Sequence, residues 1–61
     1  MERYHELIKH IQEMETDFEK FYVKEQAAAG TRVRKGLNEL KKLAQDIRLE
    51  IQEVKNKRKD G

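Results

Sequence analysis

The sequence predicts an all-α fold, a two-helix antiparallel hairpin that dimerises into a four-helix bundle with coiled-coil packing. Two observations carry this prediction. Each half of the 61-residue chain repeats its apolar residues in heptads, and the two repeats are out of phase with each other. The composition also favours continuous helix, because the chain has no Pro, only three Gly, and 43% charged residues.

The small size of the chain is the reason to expect self-association. A chain of this length buries only about 60% of the surface that its unfolded form exposes, so a lone hairpin is barely stable. The chain contains no Cys, which excludes disulfides and thiolate metal sites as additional stabilising features. Association with a second copy is the remaining source of stability, and a homodimer is expected.

The first helix is predicted over about residues 2–25 and the second up to about residue 57, within a single domain spanning residues 1–61. Each helix carries two apolar columns with further apolar residues beside them, and a stripe of this width is typical of a bundle core. The predicted core and dimer residues are Tyr4, Leu7, Ile8, Ile11, Met14, Phe18, Phe21, Val33, Leu37, Leu40, Ala44, Ile47 and Ile51.

The turn is expected between residues 24 and 31, where the heptad phase breaks, and two positions for it remain open. In one, Gly30 is the left-handed residue that ends the first helix and Thr31 caps the second. In the other, Gly30 lies inside the second helix on its core stripe, where a missing side chain lets the two backbones approach closely. Residues 56–61 contain no apolar residue and are expected to fray.

The two halves of the chain differ in charge. Residues 1–30 contain four Lys/Arg and seven Asp/Glu, whereas residues 31–61 contain ten and five. Three of these cations, Arg32, Arg34 and Lys35, fall near the expected start of the second helix, where the macrodipole opposes positive charge. This placement indicates an anionic partner.

Cations also form columns along the second helix. Arg34, Lys41, Arg48 and Lys55 share one heptad column, here named the basic rail, and the opposite flank carries Glu39, Asp46 and Glu53. A column of this kind can follow a phosphate backbone. Alternatively, its members pair with acidic residues of a neighbouring helix, as in an oligomerisation or adaptor module. The candidate nucleic-acid contacts are Arg32, Arg34, Lys35, Lys41, Lys42, Arg48, Lys55, Lys57, Arg58 and Lys59.

The sequence does not predict an enzyme. It has no Ser or Cys nucleophile and no Gly-rich phosphate loop, and His5 and His10 point to different faces of a helix, so neither a metal nor a cofactor is expected. No small-molecule substrate is expected either. Because no apolar run approaches about 18 residues and no signal peptide opens the chain, a cytoplasmic protein without membrane association is expected.

The run Ala-Ala-Gly-Thr-Arg-Val-Arg-Lys (residues 28–35), followed by Leu37, Glu39, Leu40, Leu43 and Arg48 at helical spacing, resembles the bacterial linker-histone-like family that is best known from chlamydiae. The resemblance covers roughly residues 22–55, with Arg32–Arg34 as its most specific part, whereas residues 1–20 match only in length and amphipathic character. It implies a small helical nucleoid protein that binds double-stranded DNA without sequence preference. The sequence departs from the family in lacking the long Lys/Ala/Pro-rich tail and in having Lys24-Glu25-Gln26 where turn-forming residues are usual.

Overall fold

The computed structural model describes residues 1–58, which form two antiparallel helices in a hairpin. Helix α1 spans Glu2–Tyr22 and helix α2 spans Ala27–Arg58. An ion pair near each end of α1, Arg3 with Glu50 at 3.0 Å and Asp17 with Arg32 at 2.8 Å, fixes the antiparallel register. Residues 1–58 contain no strand, so the predicted all-α, two-helix architecture is confirmed. The four-helix bundle stays a prediction.

The turn occupies residues 23–26, and its left-handed residue is Glu25 rather than a glycine. Helix α1 ends at Tyr22, short of the expected end near residue 25, and Glu25 has φ of 54°. This conformation costs a non-glycine residue about 1–2 kcal/mol. It reverses the chain so that the Gln26 N–H donates to the Lys20 carbonyl at 2.9 Å, which satisfies a carbonyl at the helix end.

Helix α2 begins before Gly30, which excludes the alternative in which Gly30 ends the first helix and Thr31 caps the second. Ala27–Ala29 form its first turn, so Gly30 and Thr31 both lie inside the helix, and Thr31 is not its N-cap. Alanine has the highest helix propensity, which explains why the helix starts there. At the other end α2 continues to Arg58, so residues 56–58, which were expected to fray, are helical. The remainder of the expected tail, including Lys59, lies outside the described residues.

One apolar column of each helix closes the hairpin. Met14, Ala29 and Val33 are buried between the helices, and four predicted core residues are half-buried: Leu7, Ile8, Leu40 and Ile47. The close packing at the centre uses the two glycines of α2. The Phe21 ring lies against Gly30, and the Met14 side chain lies against Gly36. Ala29, which the sequence did not single out as a core residue, has no exposed surface.

The other column of each helix remains uncovered in a single hairpin. Of the predicted core residues, Tyr4, Ile11, Leu37 and Ile51 are 53%, 55%, 46% and 53% exposed. Phe18 and Ala44 are exposed as well, and so is Phe21, although it shares the column of Met14 and packs against Gly30. Two helices bury only the stripe on which they meet, so a three-column stripe cannot be covered by one hairpin. The predicted core is therefore only partly a core at the level of the hairpin.

Polar contacts across the hairpin fix its register at three levels. At its centre, His10 Nε2–H donates to the Gly36 carbonyl oxygen at 2.8 Å. Arg3 Nε–H donates to Glu50 at the open end, and this hydrogen bond holds the pKa of Arg3 above its usual value. Asp17 accepts from Arg32 near the turn. Because the ion pairs are exposed they contribute little stability, and their main effect is to select one register.

We expect Gly30→Ala to destabilise the hairpin and Gly36→Ala to be nearly neutral. A Cβ atom at position 30 would lie 2.7 Å from two atoms of the Phe21 ring, and a Cβ at position 36 would lie 3.0 Å from the flexible end of Met14. Overpacking against a ring costs about 1–3 kcal/mol, which outweighs the gain of up to about 1 kcal/mol in helix propensity. Thermal melts of both variants at one protein concentration test this. Equal melting temperatures would contradict the close approach at Gly30.

Candidate nucleic-acid interface

The predicted nucleic-acid contacts within the described chain are side chains of α2 that reach solvent. They lie along a helix of 32 residues, and each is exposed: Arg32, Arg34, Lys35, Lys41, Lys42, Arg48, Lys55, Lys57 and Arg58. Nothing in the hairpin covers them, so they are accessible to a macromolecule. The remaining predicted contact, Lys59, lies beyond the described residues.

The structure brings three of these cations together on the outer side of α2. Arg34, Lys35 and Lys41 line one shallow groove together with Asn38 and Leu37. Within residues 1–58, these three cations form no ion pair. Their charge is therefore not neutralised by the hairpin itself. The groove is open and positive, which suits an extended anion better than a small enclosed ligand.

The basic rail runs along this side of α2 and turns about the helix axis by about 20° per heptad. Its members, Arg34, Lys41, Arg48 and Lys55, are seven residues apart, so neighbours are separated by about 10.5 Å and the whole rail spans about 32 Å at 1.5 Å per residue. That length is close to one turn of duplex DNA, about 34–36 Å. Continuity of α2 from Ala27 to Arg58 makes the rail rigid, because every member projects from one unbroken helix.

Arg32 does not belong with the other cations. Its guanidinium Nε–H donates to Asp17 Oδ1 at 2.8 Å, so it faces α1 on the opposite side of the hairpin from Arg34. The sequence grouped Arg32 with Arg34 and Lys35 because they are neighbours along the chain. Side chains two residues apart on a helix diverge by about 160°, and the structure separates them accordingly.

The predicted position of three cations at the start of the second helix is wrong. Arg32, Arg34 and Lys35 were expected at that start, but α2 begins at Ala27. All three cations therefore lie beyond the first turn, where the effect of the macrodipole has faded. Their placement alone does not indicate an anionic partner, and the case for one depends on the rail.

The opposite side of the hairpin is mixed in charge and richer in carboxylates. Glu6, Glu13 and Glu39 line one groove there with Lys9 and His10. Asp17 extends this side toward the turn. Sequence reasoning missed Asp17 as the partner of Arg32, because only the register of the two helices places these residues level with each other. The hairpin thus has one basic and one predominantly acidic side.

The described part of the chain has neither a cluster of metal ligands nor a membrane-spanning helix. Residues 1–58 contain no group of three His, Cys, Asp or Glu side chains arranged to hold a metal ion. Neither helix in that range is apolar enough over its length to cross a lipid bilayer.

Comparison with known families gives a match that covers α1 and nearly all of α2. The family described as histone H1-like protein Hc1 matches residues 1–57. The match begins at the first residue, so it includes α1, for which the sequence alone showed only a similar length and amphipathic character. The histone H1-like family is a family of DNA-binding structural proteins and not of enzymes. No curated protein and no solved structure matches the chain.

Proposed function

Because the chain belongs to the histone H1-like protein Hc1 family, we propose that it is a nucleoid protein that binds double-stranded DNA without sequence preference. The proposed binding surface is the basic rail of α2 with Lys35 and Lys42 beside it, and Lys57, Arg58 and Lys59 extend it toward the C-terminus. The proposed functional unit is a homodimer in the nucleoid of a bacterial cytoplasm.

The main observation in support of this proposal is the exposure and lack of ion pairing of the cations at the centre of α2 within the described residues. Within residues 1–58, Lys41, Lys42 and Arg48 are exposed and take part in no ion pair. Exposed cations on a rigid helix gain little from one another and repel at close range, so they add nothing to the hairpin's own stability. They do favour a polyanion, because each phosphate that they neutralise releases a condensed counterion.

The lack of sequence preference follows from the chemistry of these side chains. Lys and Arg on an exposed, straight helix face can reach phosphate oxygens at regular intervals. Contacts to phosphate oxygens position a protein on the duplex and carry no sequence information. Binding is therefore expected to depend on salt and hardly on sequence.

A second candidate function is an oligomerisation or adaptor module. The Arg32–Asp17 pair supports it, because it shows a cation of α2 neutralised by an acidic side chain of a neighbouring helix. The uncovered apolar columns also show that the hairpin has surface to bury against another protein. In this alternative the rail pairs with a protein partner and DNA is not bound.

Titration of duplex DNA with salt distinguishes the two functions. We expect the wild-type chain to bind two duplexes of unrelated sequence with equal affinity, and the logarithm of the affinity to fall linearly with the logarithm of the salt concentration. Gel shifts or fluorescence anisotropy at several salt concentrations provide the measurement. Absence of binding at about 50 mM salt, or strong preference for one duplex, would contradict the proposal.

A further inference from the structure

The apolar columns that the hairpin leaves uncovered lie on one side of it. Phe21 and Tyr22 line a groove together with Gly30 and Leu37, and the Phe18 ring stacks on the Tyr22 ring with their centroids 6.2 Å apart. Residues seven apart on a helix point in nearly the same direction. Tyr4 and Ile11 therefore follow Phe18 along α1, and Ala44 and Ile51 follow Leu37 along α2. This surface is named the open face: Tyr4, Ile11, Phe18, Tyr22, Leu37, Ala44 and Ile51.

The hairpin exposes more surface than a compact protein of its mass. It exposes 5493 Å². A compact monomer of the same mass exposes about 4,200 Å², so the excess is about 1,300 Å². A typical specific interface buries about 800 Å² on each partner, which is less than this excess. The elongated shape of 50 × 17 × 12 Å contributes to the excess, and a partner of the same length would bury part of it.

The two edges of the open face carry opposite charges near the turn. Beyond Leu37 and Ala44 lies the basic rail, starting at Arg34, which itself lines the groove on this face. Beyond Phe18 on α1 lie Glu15 and Glu19, which are exposed. A second copy can place its hairpin on the open face in two ways, and these charges distinguish them.

We propose that the occupant of the open face is a second copy of this chain, with α1 of each protomer on α2 of its partner and both turns at the same end of the bundle. In this arrangement the acidic edge of α1 meets the basic edge of the partner's α2. In the alternative, with the turns at opposite ends, α2 lies on α2 and the two basic rails face each other, which is unfavourable. The inference concerns the homodimer in the proposed function and does not require DNA.

The register of the hairpin supports this arrangement. Met14 lies level with Gly36, and Phe21 lies level with Gly30. When both turns lie at the same end, the two-fold axis of the dimer is parallel to the helices. Rotation about this axis leaves each residue at the same height along the bundle. Glu15 therefore lies level with the partner's Lys35 and beside the partner's Arg34.

The same register staggers the side chains of the two open faces. Phe18 and Ile11 fall above and below the partner's Leu37, and Tyr4 and Ile11 fall on either side of the partner's Ala44. Staggered side chains interdigitate, which fills a core without overpacking. The two basic rails then lie on opposite sides of the bundle, and Lys41 and Arg48 keep their access to solvent.

The distance between the two turns tests the arrangement directly. The chain has no Cys, so Lys24→Cys introduces a single attachment site for a spin label in the turn. With both turns at one end, helix spacings of about 8–10 Å place the labels within about 30 Å of each other. With turns at opposite ends, the separation approaches the 50 Å length of the hairpin. A long distance, or no coupling in a monomer, would overturn the proposal. Dilution with unlabelled protein should abolish the coupling.

Charge reversal provides an independent test without DNA. Glu15→Arg and Arg34→Glu should each raise the dissociation constant of the dimer about threefold to tenfold, and the double variant should restore it. Lys9→Glu makes the same change in charge, but Lys9 faces the groove on the other side of the hairpin with Glu6 and Glu13, so the dimer should keep its dissociation constant. Sedimentation equilibrium measures these values. Tighter association of Arg34→Glu would indicate facing rails and overturn the arrangement.

Discussion

Replacing Lys41, Lys42 and Arg48 together with Gln should weaken binding to any duplex DNA by at least about tenfold near physiological salt. Each phosphate contact contributes about 0.9 to the slope of log affinity against log salt, so the slope should flatten by about two to three units per protomer. The loss should be equal for duplexes of unrelated sequence, because phosphate contacts carry no base code. Fluorescence anisotropy across a salt series measures both quantities.

A matched control separates the position of these charges from net charge. Replacing Lys9, Lys20 and Lys24 with Gln removes the same charge from α1 and the turn. If the rail is the binding surface, this control should keep most of the salt slope. Both triple variants should stay folded, because none of the six side chains forms an ion pair within residues 1–58. Equal losses in the two variants would show that net charge alone is responsible and would contradict the rail.

Met14→Ala should unfold the protein at concentrations where the wild type is folded. Met14 is the largest buried side chain of the hairpin, 7% exposed, and it packs against Gly36 at the crossing of the helices. Truncating a buried Met costs about 2–5 kcal/mol, and so small a domain has little more than that in total. Circular dichroism should show loss of helix. If folding is coupled to formation of the proposed homodimer, the remaining helicity should rise with protein concentration.

Leu49→Ala is the control for this prediction. Leu49 is 57% exposed and lies away from both the hairpin contact and the open face. Its truncation removes a similar amount of apolar side chain, yet the free energy of unfolding should change by less than about 0.5 kcal/mol. A destabilisation by Leu49→Ala as large as that by Met14→Ala would mean that Leu49 belongs to a second interface. If Met14→Ala kept the wild-type free energy of unfolding, the packing of Met14 where the helices cross would not be what stabilises the hairpin.

The sequence by itself determined the helices and their apolar columns. Heptad spacing depends only on the 3.6-residue period of the helix, so it predicts which residues share a face without knowledge of the partner. The break in phase likewise required a turn. The family could be recognised because Arg32–Arg34 and the apolar positions after them are local features of the chain. The same periodicity identified the basic rail, whose members point one way for the same reason.

Only the tertiary structure decided where the turn lies and which columns close the hairpin. Glu25 adopts a left-handed conformation that no local preference predicts, since the helices on either side of it impose it. Gly30 consequently lies inside α2, where the Phe21 ring packs against it, and it does not end a helix. Arg32 pairs with Asp17 because the antiparallel register of the hairpin makes them level with each other. A contact between residues distant in sequence depends on that register, and a one-dimensional pattern does not contain it.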